Sequence, residues 1–212
     1  MPIGIDPKVD YAFKRLFGLP RNIDLLISLI NALIAPTGRR VVEIVEIINP
    51  FNEKETDVDK LSYVDIKARD QYGRLFNVEI QLAVPRGFLA RELYYWARLF
   101  QSQIGEGDDY TKLRPTISIV FVNAVLFPDI PGYYHRFQVA DVKSGCVFSD
   151  DLEIHVVEFP KFDLALEQLT TPLEMWFGET ASLHLPEISS TKMESSSSLT
   201  VTSRLWKSDG RG

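Results

Sequence analysis

The sequence predicts a mixed α/β domain built around one sheet, and three stretches carry that prediction. KLSYVDIKARDQYGRLFNVEIQ (60–81) alternates polar and apolar residues on both sides of a Gln71-Tyr72-Gly73 turn, the pattern of a hairpin with one apolar face. PTISIVFVN (115–123) is a continuous apolar and β-branched run, which reads as a buried central strand. Between them, from about Arg86 to Ile104, Leu89, Leu93, Trp96 and Phe100 recur at i, i+4, i+7 and i+11, one apolar helical stripe directed at the core.

The other elements follow in chain order. In DPKVDYAFKRLFG, Asp6 can cap a helix, Pro7 suits its first turn and Gly18 can end it. Asn22 can cap a second helix reaching Ala35, with Leu26, Leu29 or Ile30, and Leu33 at helical spacing and Pro36 as the stop. VVEIVEII (41–48) reads as a strand and NPFNEKETDVDK as a polar loop before the hairpin. GEGDD breaks the third helix, and YYHRFQVAD and LEIHVVEF read as two further strands after PTISIVFVN. The expected order is α, α, β, β, β, α, β, β, β. From residue 185 the chain turns Ser-rich, with few large apolar residues and no periodicity, so 1–184 is expected to be the folded domain and 185–212 a disordered tail.

Composition narrows the function classes. At 212 residues, with 45% hydrophobic and 25% charged residues, the chain has the makings of one globular domain. Its longest apolar stretch, 23–35, is too short to cross a membrane, and no signal-peptide pattern opens the sequence, so a cytoplasmic protein without a membrane partner is expected. Cys146 is the only cysteine, which excludes an intrachain disulfide or a multi-cysteine zinc site. A net charge of −6 argues against a surface basic all over, though nucleic-acid chemistry needs only a local basic track.

The hairpin carries the chemistry. With Gly73 in the left-handed position of a three-residue loop, Asp70 pairs with Arg74, Ile66 with Val78, Asp65 with Glu79 and Val64 with Ile80. One face then collects Val64, Ile66, Ala68, Phe76, Val78, Ile80 and Leu82; the other collects Tyr63, Asp65, Lys67, Asn77, Glu79 and Gln81. Facing carboxylates with Cβ atoms about 5 Å apart repel. A divalent cation reverses that sign, since Mg²⁺ prefers carboxylate oxygens. The competing explanation is a solvated amphipathic face on which Lys67 and Arg69 relieve the charge.

The ordered set DPKVDYAFKRLFG, the D-I-K…D-x-x-G-R-x-x-x-V-E-I-Q hairpin, RELYYWARLFQSQIGEGDDYTKLRPTISIVFVN, HRFQV and EIHVVEFPKF resembles the Rpn-type recombination-promoting nucleases, also described as transposases, of the PD-(D/E)XK superfamily. The likeness runs from about residue 5 to about 180. It implies a restriction-endonuclease-like α/β fold, a mixed sheet flanked by helices, and Mg²⁺-dependent DNA cleavage, with Mn²⁺ as a substitute. Asp65 and Glu79 match the metal-holding acids, joined by a main-chain carbonyl near Ile80. Gln81 stands where many members of the superfamily carry lysine and can orient water; Lys67, on the same face, can supply the missing charge. The resemblance also suggests an upstream acid, with Asp10 as the metal-ligand candidate and Glu43 and Glu46 as alternatives. Arg91, Tyr95 and Arg98 on the third helix are the DNA-contact candidates, and a solvated helix face is the other explanation for them. His135 and His155, in strand-like runs, far apart and read as lacking acidic company, are expected to be ordinary strand residues rather than ligands, and Cys146 shows no catalytic context. Related proteins continue with a longer helical region after Met175-Trp176-Phe177, where this chain turns Ser-rich. A catalytically weak or inactive DNA-binding protein that keeps the fold is therefore the alternative, and assembly as a homodimer is left open.

Overall fold

The structure, a computed structural model, describes residues 13, 16–49 and 65–176. Chain contacts divide it into two units, 1–162 and 163–212. Of the expected first helix, Phe13, Leu16 and Phe17 are helical; Asp10, the hairpin residues 60–64 and the Ser-rich segment lie outside the described residues.

The first unit holds helix α1 (Ile23–Ile34), strands β1 (Val45–Ile47), β2 (Asp65–Asp70) and β3 (Leu75–Gln81), helix α2 (Phe88–Gln101), and strands β4 (Thr116–Val122), β5 (Tyr134–Ala140) and β6 (Val147–Glu158). The strands form one six-stranded sheet in the order β1-β2-β3-β4-β6-β5. β3, β4 and β6 run parallel, with antiparallel pairs on either side. Helix α2 is the crossover that parallel β3 and β4 require. β4, continuous in apolar residues, is buried along its whole length at the middle of the sheet, as its sequence predicts.

Departures from expectation have local causes. Asn22 precedes α1, but its side-chain amide donates to the Leu16 carbonyl at 2.9 Å instead of capping the helix. The strand expected over 41–48 shrinks to Val45–Ile47. Upstream, the Asn31 side chain takes both the N–H and the C=O of Val42 at 2.7 Å, and the Gln71 side chain accepts from the N–H groups of Glu43 and Ile44. Those backbone groups are thus spent on side chains rather than on a strand ladder.

The stripe expected to face the core on α2 is also offset. Leu89 and Leu93 are each 50% exposed, while Phe88 and Glu92 are buried. The inward face runs Phe88, Glu92, Tyr95 and Leu99, one residue and about 100° from the predicted one. Phe88 packs with Val120, Val122 and Val156, which anchors α2 over β3 and β4 and sets that rotation. Trp96 donates to the Thr116 carbonyl at 2.7 Å at the helix's other end.

The opposite sheet face collects Ile66, Ala68, Phe76, Val78, Ile117, Ile119 and Phe121, all buried. His135 and His155 do have acidic company: Glu158 reaches His135 across the β5–β6 pairing, and Glu153 lies two residues before His155 on β6. Buried His155 meets the Tyr134 hydroxyl at 2.8 Å and lies 3.5 Å from Glu153, which Arg39 and Arg136 also hold. His135 meets Glu158 at 2.8 Å, and Lys161 binds the same carboxylate at 2.6 Å. Burial works against ionised Glu153, but the His155 hydrogen bond and the cationic neighbours outweigh it and pull the carboxyl down to about 2. Burial and the Glu153 charge push the Tyr134 phenol up to about 12.

In the second unit, a helical segment at 172–176 opens on a capping box. The Glu174 carboxylate accepts from the N–H groups of Thr170 and Thr171 at 2.8 Å, and Thr171 Oγ1 accepts from the Glu174 N–H.

Candidate active site

The hairpin turn sets the site's register. Gly73 adopts φ +78°, a conformation that only glycine enters freely, and its N–H donates to the Asp70 carbonyl at 3.0 Å. Asp70 stabilises the loop from within: its carboxylate accepts from the N–H groups of Tyr72 and Arg74 and pairs with the Arg74 guanidinium at 2.5 Å. The Asp70 N–H donates to the Arg74 carbonyl, and from there the ladder places Ile66 opposite Val78 and Asp65 opposite Glu79. The predicted register is the observed one.

On β3 the polar face of the hairpin is buried, while Asp65 and Lys67 on β2 stay partly exposed. Asn77, Glu79 and Gln81 are 2%, 5% and 7% exposed, because α2 lies over β3. Two cations meet the two acids. The Lys67 ammonium is 3.3 Å from Asp65, and Arg91 Nη2 donates to Glu79 at 2.9 Å and to the side-chain amide oxygen Oε1 of Gln81 at 2.7 Å. The Arg91 guanidinium lies over the rings of Phe88 and Tyr95, at 5.1 and 5.9 Å from their centroids. Gln81 is held at its other end too, its amide donating to the Ala83 carbonyl at 2.6 Å. Next to Arg91, Glu92 is buried; burial pushes its carboxyl upward, Arg91 pulls it down, and the Asp65 charge adds to the rise.

Asp65 is also fixed from the β1 side. Past the short β1–β2 ladder, the Asn49 side chain imitates a strand residue: its amide donates to the Asp65 carbonyl at 2.9 Å and accepts from the Lys67 N–H at 2.6 Å. Beside the acids lies a cleft of about 450 Å³, whose described lining includes Asp65, Lys67, Arg69, Glu79, Tyr95 and Arg98. Three basic side chains therefore border a space that begins at the acid pair.

A family model of the PD-(D/E)XK nuclease family transposases matches residues 7–202. The chain belongs to that family. No curated protein and no solved structure matches it. The match to the PD-(D/E)XK transposases extends into the Ser-rich segment, beyond the residue 180 at which the sequence resemblance ends. Six strands with a central parallel trio and flanking helices fit the restriction-endonuclease-like fold of that family.

PD-(D/E)XK nucleases typically use divalent metal ions, and the donors on this hairpin suit one. Asp65 and Glu79 are hard oxygen ligands on facing strands, each already within reach of a cationic group. Among the described residues, no group of three or more His, Cys, Asp or Glu side chains is spaced to hold a metal, so the pair stands without a third protein acid. Glu46, an alternative upstream acid, pairs with Arg69 at 3.7 Å, roughly 13 Å along β2 from Asp65, and Glu43 is exposed. Of the DNA-contact candidates, Tyr95 and Arg98 line the cleft, whereas Arg91 engages Glu79 and Gln81 directly.

Two residues of the site escaped sequence reasoning. Asn49 sits in a stretch read as polar loop, with nothing local to mark its grip on β2. Glu92 was legible in principle: Phe88, Glu92, Tyr95 and Leu99 share the same i, i+4, i+7, i+11 spacing as the apolar stripe one residue on.

Proposed function

We propose that this PD-(D/E)XK transposase-family protein is a Mg²⁺-dependent DNA endonuclease that hydrolyses phosphodiester bonds, with Mn²⁺ as a substitute, and that it works in the cytoplasm. The observation that carries the reading is the pairing of Asp65 with Glu79 across the hairpin at the end of a basic-edged cleft. Asp65, Glu79 and the main-chain carbonyl near Ile80 would hold the metal, with Asp10 the candidate from the N-terminal motif. A bound divalent ion supplies an acidified water and neutralises charge on the scissile phosphate. Lys67, half-exposed beside Asp65, is placed to offset charge developing on that phosphate. Gln81, held by Arg91 and the Ala83 carbonyl, keeps one amide hydrogen and one oxygen lone pair with which to orient the attacking water. Arg98 and Arg69 would take flanking phosphates, with Tyr95 in the same cleft wall adding a hydrogen bond.

A second reading draws support from Gln81. The amide carries no charge, and both of its ends are engaged within the protein, as befits a binding protein that has lost efficient cleavage. Supercoiled plasmid incubated with Mg²⁺ or Mn²⁺ separates the two. Nicking or linearisation that disappears in both Asp65→Ala and Glu79→Ala supports the endonuclease. Salt-dependent DNA binding without cleavage at any metal concentration overturns it in favour of the binding protein.

A further inference from the structure

Glu92 has no part in the hydrolysis described above, yet it is buried in the same site. It follows Arg91 on α2, and its Oε1 lies 3.4 Å from both Nε and Nη2 of Arg91. Its Oε2 is buried without a hydrogen-bond partner, a costly state for a carboxylate oxygen. The Asn77 amide and the Ser118 hydroxyl, neighbours across the β3–β4 ladder on the face beneath α2, are likewise buried without partners. Among the described residues, Arg91 contacts two acids unequally. Its short contacts go to Glu79 and Gln81, at 2.9 and 2.7 Å, and its long ones to Glu92.

A divalent cation on Glu79 would repel the guanidinium and compete for the same carboxylate. The guanidinium, largely covered at that point, then shifts away from the cation, and the buried Glu92 carboxylate, with one oxygen lacking a partner, is within a small side-chain movement. Among the described residues Glu92 completes no three-ligand group with Asp65 and Glu79, so it stands outside the acid pair proposed to hold the metal. We propose that Glu92 is a positioning residue that receives the Arg91 guanidinium when a divalent cation takes Glu79, so that the Arg91–Glu92 pair tunes metal affinity from outside the ligand set. The inference rests on the metal-dependent reading of the site. In the metal-free protein Arg91 keeps the acid pair compensated, and on metal entry the unsatisfied oxygen of Glu92 gains a partner.

The test measures Mn²⁺ binding by calorimetry in wild type, Arg91→Met, Glu92→Gln and the double variant, with thermal melts to establish folding and Arg91→Lys as a second probe. Arg91→Met is expected to tighten Mn²⁺ about tenfold, the scale of one charge-assisted hydrogen bond. Glu92→Gln is expected to weaken it about fivefold, and to change it less than about twofold once Arg91 is Met. In a ¹⁵N spectrum, the Arg91 Nε resonance, assigned through its loss in Arg91→Lys, should move on saturation with Mg²⁺ in wild type and stay in place in Glu92→Gln. Equal weakening by Glu92→Gln in both backgrounds, no weakening at all, or an unmoved Arg91 resonance in wild type overturns the proposal. Glu79→Ala separates this failure from that of the metal site. If Mn²⁺ affinity survives Glu79→Ala, the metal reading itself falls; if it is lost while Arg91 and Glu92 act independently, only the transfer falls.

Discussion

Replacing Asp65 by Asn keeps the shape of the side chain and removes one of two facing charges. The Cβ atoms of such a pair lie about 5 Å apart. At an effective dielectric of about 20, two unit charges at that distance repel by about 3 kcal/mol. The Arg91 guanidinium, 2.9 Å from Glu79, offsets most of this. The Lys67–Asp65 contact itself contributes little, because those side chains are 41% and 27% exposed and solvent screens them. The net gain from Asp65→Asn is therefore about 1 kcal/mol, or a rise of about 2–4 °C in melting temperature for a protein of this size. Urea unfolding and thermal melts in EDTA at neutral pH and low salt measure it, and added salt should narrow the difference. The same variant should lose metal binding and plasmid cleavage. A variant less stable than wild type by 1 kcal/mol or more would show that Asp65 serves the fold, and the argument from repulsion would fail.

Other outcomes follow from single contacts. Gly73→Ala should cost about 1–2 kcal/mol, because the left-handed backbone disfavours a side chain and the new Cβ would lie 3.2 Å from Arg114 Cγ; an unchanged melting temperature contradicts this. Glu153 has a folded-state pKa of about 2 against an ordinary 4.5, so its contribution of about 3 kcal/mol is present above pH 4.5 and lost as pH falls towards 2. Urea midpoints measured across that window should flatten in Glu153→Gln, at the cost of lower stability near neutrality, and an unaltered acid limb counts against the assignment. Asn49→Ala should cost about 1–2 kcal/mol through two lost hydrogen bonds to β2 and should weaken Mn²⁺ binding by loosening Asp65; a Mn²⁺ affinity equal to wild type argues against that link.

The parts legible in the sequence are those governed by short-range rules. The hairpin register could be read because strand side chains alternate with a period of two and because a three-residue turn demands a residue tolerant of positive φ, which Gly73 supplies. β4 could be read because a strand covered on both faces needs apolar residues throughout. Helix α2 was legible as a helix but not in its rotation, since the stripe through Leu89 and the stripe through Phe88 have the same period, and only the packing of Phe88 on Val120, Val122 and Val156 selects between them. The acidic company of His135 was hidden for a related reason, since Glu158 reaches it across the β5–β6 pairing; Glu153, two residues before His155 on β6 and therefore on the same face, was legible from strand alternation.

The sequence by itself determined that Asp65 and Glu79 face each other, because alternation and one glycine turn leave a single consistent register. Which charges those acids meet was decided only by tertiary structure. Arg91 reaches Glu79 because α2 crosses over β3, Lys67 reaches Asp65 on a strand held in place by Asn49, and Glu92 is buried because the helix turns that face inward. Local periodicity specifies which residues share a face; what lies above that face depends on contacts between distant segments, which no short window of sequence contains.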